Sequence, residues 1–157
     1  MDRKIWDGTG WVINANMSYS IPGYMYVTHK SATNFADLNQ ADTAELGLAL
    51  KLATHAAQTV LLPENVLAGR FGLVPGHPIH FHITPVYTWV KDALMADPKY
   101  TAYQTNNPEN YPAIPDGAEL QAFIWREMHM RKTKFVDFDH DDIANRLEGF
   151  ISTQKED

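Results

Sequence analysis

Cysteine is missing from all 157 residues. That removes disulfides, thiolate zinc sites and cysteine nucleophiles together, and it fits a reducing compartment. An excess of basic residues is missing too. Thirteen Lys and Arg stand against nineteen Asp and Glu, a formal net charge of −6, so the phosphates of a nucleic acid would find no general counter-charge. A small phosphate-bearing ligand at a local site is not excluded by that balance. No apolar run approaches the length of a membrane span, and the first residues, Met1 to Asp7, hold no apolar segment of the secretory type. The expectation is a cytoplasmic protein with neither a membrane nor a nucleic-acid partner. Internal repeats and low-complexity segments are also lacking. What remains is 45% hydrophobic and 20% charged, an ordinary globular composition at a length that suits one domain.

Chemistry concentrates in Gly76-His77-Pro78-Ile79-His80-Phe81-His82-Ile83-Thr84-Pro85, which holds three of the seven histidines. Apolar residues and imidazoles alternate with period two from Ile79 to Ile83, which predicts a strand. Ile79, Phe81 and Ile83 then face a core, and His80 and His82 stand side by side on the opposite face. Two strands are predicted upstream: Trp11 to Asn16 and Tyr24 to Thr28, joined through the turn signal Ser20-Ile21-Pro22-Gly23. Asn39 is placed to cap a long helix from about Gln40 to Val60, whose apolar stripe runs through Leu46, Ala49, Leu50, Ala53, Ala57 and Val60. A strand broken by glycines follows over Asn65 to Leu73, placing Arg70 near the histidines. Thr88 to Leu94 suggests a short helix, Thr105 to Gly117 a loop, Leu120 to Trp125 a strand, and His140 to Phe150 a last helix capped by Asp139. Hairpins on both sides of one long helix give an α+β domain with an antiparallel sheet.

Three readings of His80 and His82 follow from the residues alone. They can be two polar residues on a sheet face. They can be a His-x-His metal site, which would need a third ligand such as His77. They can also do nucleophilic and acid–base work on a phosphoryl group, since neutral imidazole attacks phosphorus.

The segment resembles the signature of the histidine triad (HIT) family, His-φ-His-φ-His-φ-φ with φ apolar. Aligned on the last two histidines it reads Pro78-Ile79-His80-Phe81-His82-Ile83-Thr84. The order of elements from Trp11 to Pro85 is also similar to that family, and Glu119 to Glu127 is similar to the C-terminal strand of some bacterial dinucleoside polyphosphate hydrolase-like members. The resemblance implies a single HIT-like domain over residues 1–157, with a core of about 11–85 and an extension of about 86–157. It implies a sheet of about five antiparallel strands with a long helix packed on it, then a C-terminal strand and helix. It further implies a homodimer that hydrolyses or transfers nucleotides through a covalent nucleotidyl-histidine, with a nucleoside phosphoramidate or dinucleoside polyphosphate as substrate. No protein-bound metal or other cofactor is implied, although magnesium can accompany the nucleotide. By the resemblance His80 is the nucleophile, His82 contacts the phosphate, and the asparagine of the first hairpin lies near the ribose, Asn16 matching best by its spacing to Pro22-Gly23 and Asn14 second. Two departures stand out. Pro78 occupies the first triad position and cannot donate a hydrogen bond; His77 is the neighbouring imidazole that could stand in. The polar residues that hold phosphate ahead of the triad are replaced by Leu73-Val74-Pro75-Gly76, which leaves Arg70 as the candidate phosphate contact. A nucleotide-binding protein with little catalysis, and the metal site, remain alternatives.

Overall fold

The computed structural model describes residues 2–72, 74–100, 115–131, 133 and 135–154. Most of the loop expected over Thr105 to Gly117 therefore lies outside the described residues. Five antiparallel strands form one sheet: β1 (Asp2–Asp7), β2 (Trp11–Asn16), β3 (Met25–His29), β4 (Asn65–Gly69) and β5 (His80–Val86). Their order is β1-β2-β3-β5-β4. The α+β class and the five-stranded antiparallel sheet read from the sequence are thus the observed ones. β1 adds an edge strand ahead of the expected hairpin, with a register shift between Lys4 and Trp6.

The long helix α1 spans Gln40–Leu61. Asn39 caps it reciprocally with Asp42: the Asn39 side chain accepts from the Asp42 N–H, and the Asp42 carboxylate accepts from the Asn39 N–H. Its buried residues are Leu46, Ala49, Leu52, Ala53, Ala56 and Ala57, a stripe turned slightly from the expected one. Four alanines on that stripe let the helix approach the sheet closely. They meet Ile13, Ala15, Met25, Val27 and Ile83 in the main core, together with Ile143, Leu147 and Ile151 of the last helix, α4 (His140–Thr153). Each large apolar side chain buried there contributes about 2 kcal/mol. The Glu45 carboxylate ties α1 to the β1–β2 turn by accepting from the backbone N–H groups of Thr9, Gly10 and Trp11.

The other face of the sheet carries a second core. Tyr19, Ile21, Tyr24 and Val86 pack there against Val90 and Leu94 of α2 (Thr88–Ala96), and against Leu120, Phe123, Ile124 and Met128. The last four belong to α3 (Gly117–Phe123) and its continuation, a π-helical segment over Ile124–Met130. The strand expected over Leu120 to Trp125 is therefore a helix. Its aromatic and β-branched content suggested a strand, but Asp116 and Glu119 form a second reciprocal cap, and Leu120, Phe123, Ile124 and Met128 fall on one helical face. Among the described residues no helix is long and apolar enough to cross a membrane.

Candidate active site

Ile79 and Ile83 are buried in the main core and Phe81 packs against it, so alternation turns His80 and His82 to the opposite face of β5, as the period-two pattern predicts. Neighbouring strands supply their companions. Thr28 pairs with His80 and Tyr26 with His82 on β3, while Gly69 of β4 pairs with His82. The two imidazole rings lie 5.0 Å apart between centroids.

Each ring is held by a different device. His80 Nδ1 lies 3.0 Å from the carbonyl oxygen of Pro78. A carbonyl only accepts, so His80 donates a proton from Nδ1, and in the neutral ring Nε2 then holds the lone pair. The residue that breaks the triad pattern thus contributes through its backbone. His82 is buried, and its Nδ1 lies 2.6 Å from the Tyr24 hydroxyl. Burial, then the neighbouring His80, lowers the pKa of His82 to about 4. His82 is therefore neutral at physiological pH and carries no positive charge into the site.

The strand is anchored just ahead of His80. Ile79 donates to the Ala32 carbonyl and accepts from the His29 N–H. His29 organises that anchor, because its Nδ1 accepts from the backbone N–H groups of Ser31 and Ala32. It is buried with its ring edge-on to Trp11. Its role is architectural.

His80 and His82 open into a cleft of about 770 Å³. One wall is the loop from Arg70 to Pro78, in which Pro75-Gly76 makes a tight turn with Gly76 at φ +79° and His77 N–H donating to Val74 O. The other wall is α3 and its continuation, through Ala118, Gln121, Ala122, Trp125 and Arg126. Phe71, Val74 and Trp125 are large apolar residues left 43–63% exposed, and all three line this cleft. Gly72 packs directly on the His80 ring: a Cβ there would fall 2.7 Å from Cε1 and 2.9 Å from Nε2.

Four of the five residues singled out from the sequence line the cleft: His80, His82, Arg70 and His77. Asn16 does not. It is buried, its Oδ1 accepts from the N–H groups of Ser18 and Tyr19, and its Nδ2 donates to Asp2. Its amide is used to close the turn after β2. Among the described residues no group of three histidines or carboxylates is placed to hold a metal ion, so His77 does not complete a ligand set with His80 and His82. Tyr24, Phe71 and Gly72 carried no sequence motif, and Gln121 and Trp125 lay in the segment read as a C-terminal strand. The signal that would have found Gln121 and Trp125 is the Asp116-x-x-Glu119 cap, because a helix starting there puts Ala118, Gln121, Ala122 and Trp125 on one face.

No protein-family model matches the sequence, and no curated protein matches it. Solved structures do resemble the fold. A hypothetical histidine triad nucleotide-binding protein from Sulfolobus tokodaii aligns with a TM-score of 0.57 at 14% identity, over 99% of this chain and 87% of that one. A Hit-like protein involved in cell-cycle regulation from Bartonella henselae aligns at 0.55 and 11% identity, over 96% and 87%. A zinc-bound histidine triad family protein from Mycobacterium smegmatis aligns at 0.53 and 12%, over 96% and 84%. The chain has the fold of histidine triad proteins.

Proposed function

We propose that the protein is a nucleotide hydrolase or nucleotidyl transferase of the histidine triad type, acting in the cytoplasm as a homodimer. The observation that carries this reading is the pairing of His80, whose Nε2 lone pair is freed by the Pro78 carbonyl, with a neutral His82 beside it in one cleft. His80 Nε2 attacks the α-phosphorus of a nucleoside phosphoramidate or dinucleoside polyphosphate. The bond from phosphorus to the leaving group breaks, and the leaving group departs with its electron pair, a phosphoramidate nitrogen taking a proton from solvent as it leaves as the amine. The resulting nucleotidyl-imidazolium keeps its Nδ1 proton on the Pro78 carbonyl, which offsets the new positive charge. His82 donates to a non-bridging oxygen, a fixed donor aimed at developing charge. Water or another acceptor then attacks phosphorus, the P–N bond breaks, and His80 regains its lone pair. Magnesium enters, if at all, as part of a polyphosphate substrate.

Arg70 is exposed at the rim of the cleft, where a guanidinium can bind phosphate oxygens in a bidentate manner. Turnover of adenosine and guanosine phosphoramidates and dinucleoside polyphosphates tests the reading. The native protein should release nucleoside monophosphate and His80→Ala should not. Arg70→Ala should raise KM about tenfold, the loss of one charge-assisted contact, with stability within about 0.5 kcal/mol of native. Unchanged KM for that variant would remove Arg70 from the site. Light scattering at twice the chain mass would support the homodimer, and a monomer mass would exclude it. Tight nucleotide binding without turnover would instead favour a binding protein.

A further inference from the structure

A line of buried polar side chains runs behind His82. The Thr84 hydroxyl donates to Gln121 Oε1 at 2.8 Å. That orients the amide, so Gln121 Nε2 donates to the Tyr24 hydroxyl oxygen at 3.2 Å. The Tyr24 hydroxyl, its oxygen already accepting, meets His82 Nδ1 at 2.6 Å. Thr84 and Tyr24 are fully buried and Gln121 and His82 nearly so. Leaving any of these groups unpaired would cost about 1–3 kcal/mol, so the pairings are mutually enforced. Burial also raises the pKa of the Tyr24 hydroxyl, which keeps its proton. A hydroxyl oxygen can accept twice, so the 2.6 Å contact fits either direction; where Tyr24 is the donor, the neutral His82 ring carries its proton on Nε2, the nitrogen turned away from Tyr24.

We propose that Thr84, Gln121 and Tyr24 form a positioning relay that locks His82 in the Nε2–H tautomer, opposite to the Nδ1–H tautomer that the Pro78 carbonyl imposes on His80. Two adjacent, chemically identical rings thereby receive different roles. His80 presents a lone pair and can only attack. His82 presents a proton and can only donate. The relay reaches the site from α3, so the helix that walls the cleft also sets the protonation pattern of the strand beneath it. The tautomers are properties of the fold, whereas the roles rest on the nucleotide reading given above.

Long-range ¹H–¹⁵N correlation on histidine-labelled protein at pH 7.5 reads both rings directly. His82 should show an unprotonated Nδ1 and a protonated Nε2, and His80 the reverse. Tyr24→Phe, which keeps the ring and removes the hydroxyl, should shift His82 toward a mixture of tautomers and leave His80 unchanged. Its kcat should fall about 10- to 100-fold with little change in KM, as expected when one donor to the transition state is misaligned. Thr84→Val, which releases the amide of Gln121, should move both readouts in the same direction by less. A native His82 protonated on Nδ1 overturns the relay, and this needs no variant to fold. A Tyr24→Phe protein with native His82 signals overturns it as well. Native signals as described, in a protein that turns over no nucleotide, would leave the tautomer lock standing and refute the catalytic role assigned to it.

Discussion

Gly72 leaves no room above His80. A methyl group at that position would fall 2.7 Å from Cε1 and 2.9 Å from Nε2, inside any normal contact, and against the nitrogen proposed as the nucleophile. Gly72→Ala should therefore lower kcat/KM at least about 100-fold by displacing the ring from its near-attack position. Thermal unfolding should change little, because the loop from Arg70 is largely exposed. Native activity in the Ala variant would show that the ring need not stand where it does. The same scale explains which residues could be read in the chain. His80 and His82 announced themselves by alternation on a strand. Tyr24 meets His82 and Gln121 across 58 residues and 97 residues of sequence, and no local pattern encodes such a contact, although the Asp116-x-x-Glu119 cap would have placed Gln121 on a helix. Asn16 is a different case. A motif position suggested a ligand contact, but the side chain closes the turn after its own strand.

Among the elements, α1 and α3 make a useful contrast, since both begin with a reciprocal cap. Removing a cap costs about 1 kcal/mol. Asn39→Ala should cost that much stability and leave kcat unchanged, because α1 lies on the face of the sheet away from the histidines. Asp116→Ala should cost a similar amount and also lower kcat, because α3 carries Gln121 and one wall of the cleft. Activity assayed with urea unfolding on the two variants separates these outcomes; equal effects on kcat would remove α3 from the site. The long helix was legible because its cap and its 3.6-residue period agree over 22 residues. The period-two strand was legible for the same reason. The segment from Leu120 to Trp125 was not, because six residues rich in Phe, Ile and Trp fit either element. The cap at Asp116 should have decided it, but it stands next to a Pro- and Asn-rich stretch that reads as a loop.

At the scale of the whole molecule, the sheet separates two tasks. One face buries α1 and α4 in the larger core, and the other holds the histidines beneath α2 and α3. Placing an imidazole in that second layer has a global consequence. The pKa of His82 is about 4 in the folded chain and about 6.5 when unfolded, so between these values the unfolded state binds the additional proton. Stability from this group is complete above pH 6.5 and is lost as pH falls toward 4. Discounted for partial solvent access, the loss is about 2 kcal/mol. Urea unfolding at pH 7.5 and pH 4.5 should show that difference shrinking in His82→Gln relative to the native chain. An unchanged pH dependence would mean that His82 keeps an ordinary pKa in the fold. The α+β class and sheet type could be anticipated because hairpins around a single long helix admit few layered arrangements.

The central claim is that His80 Nε2 becomes covalently bonded to phosphorus. It is tested most directly by trapping: mix the protein with adenosine phosphoramidate, quench in alkali where phosphohistidine survives, digest, and weigh the peptide that contains His80. The account predicts an added nucleotidyl mass on His80 in the native protein, formed at a rate consistent with turnover and absent from His80→Ala. Full turnover by His80→Ala, or a native protein that hydrolyses the substrate with no adduct on His80, would contradict it.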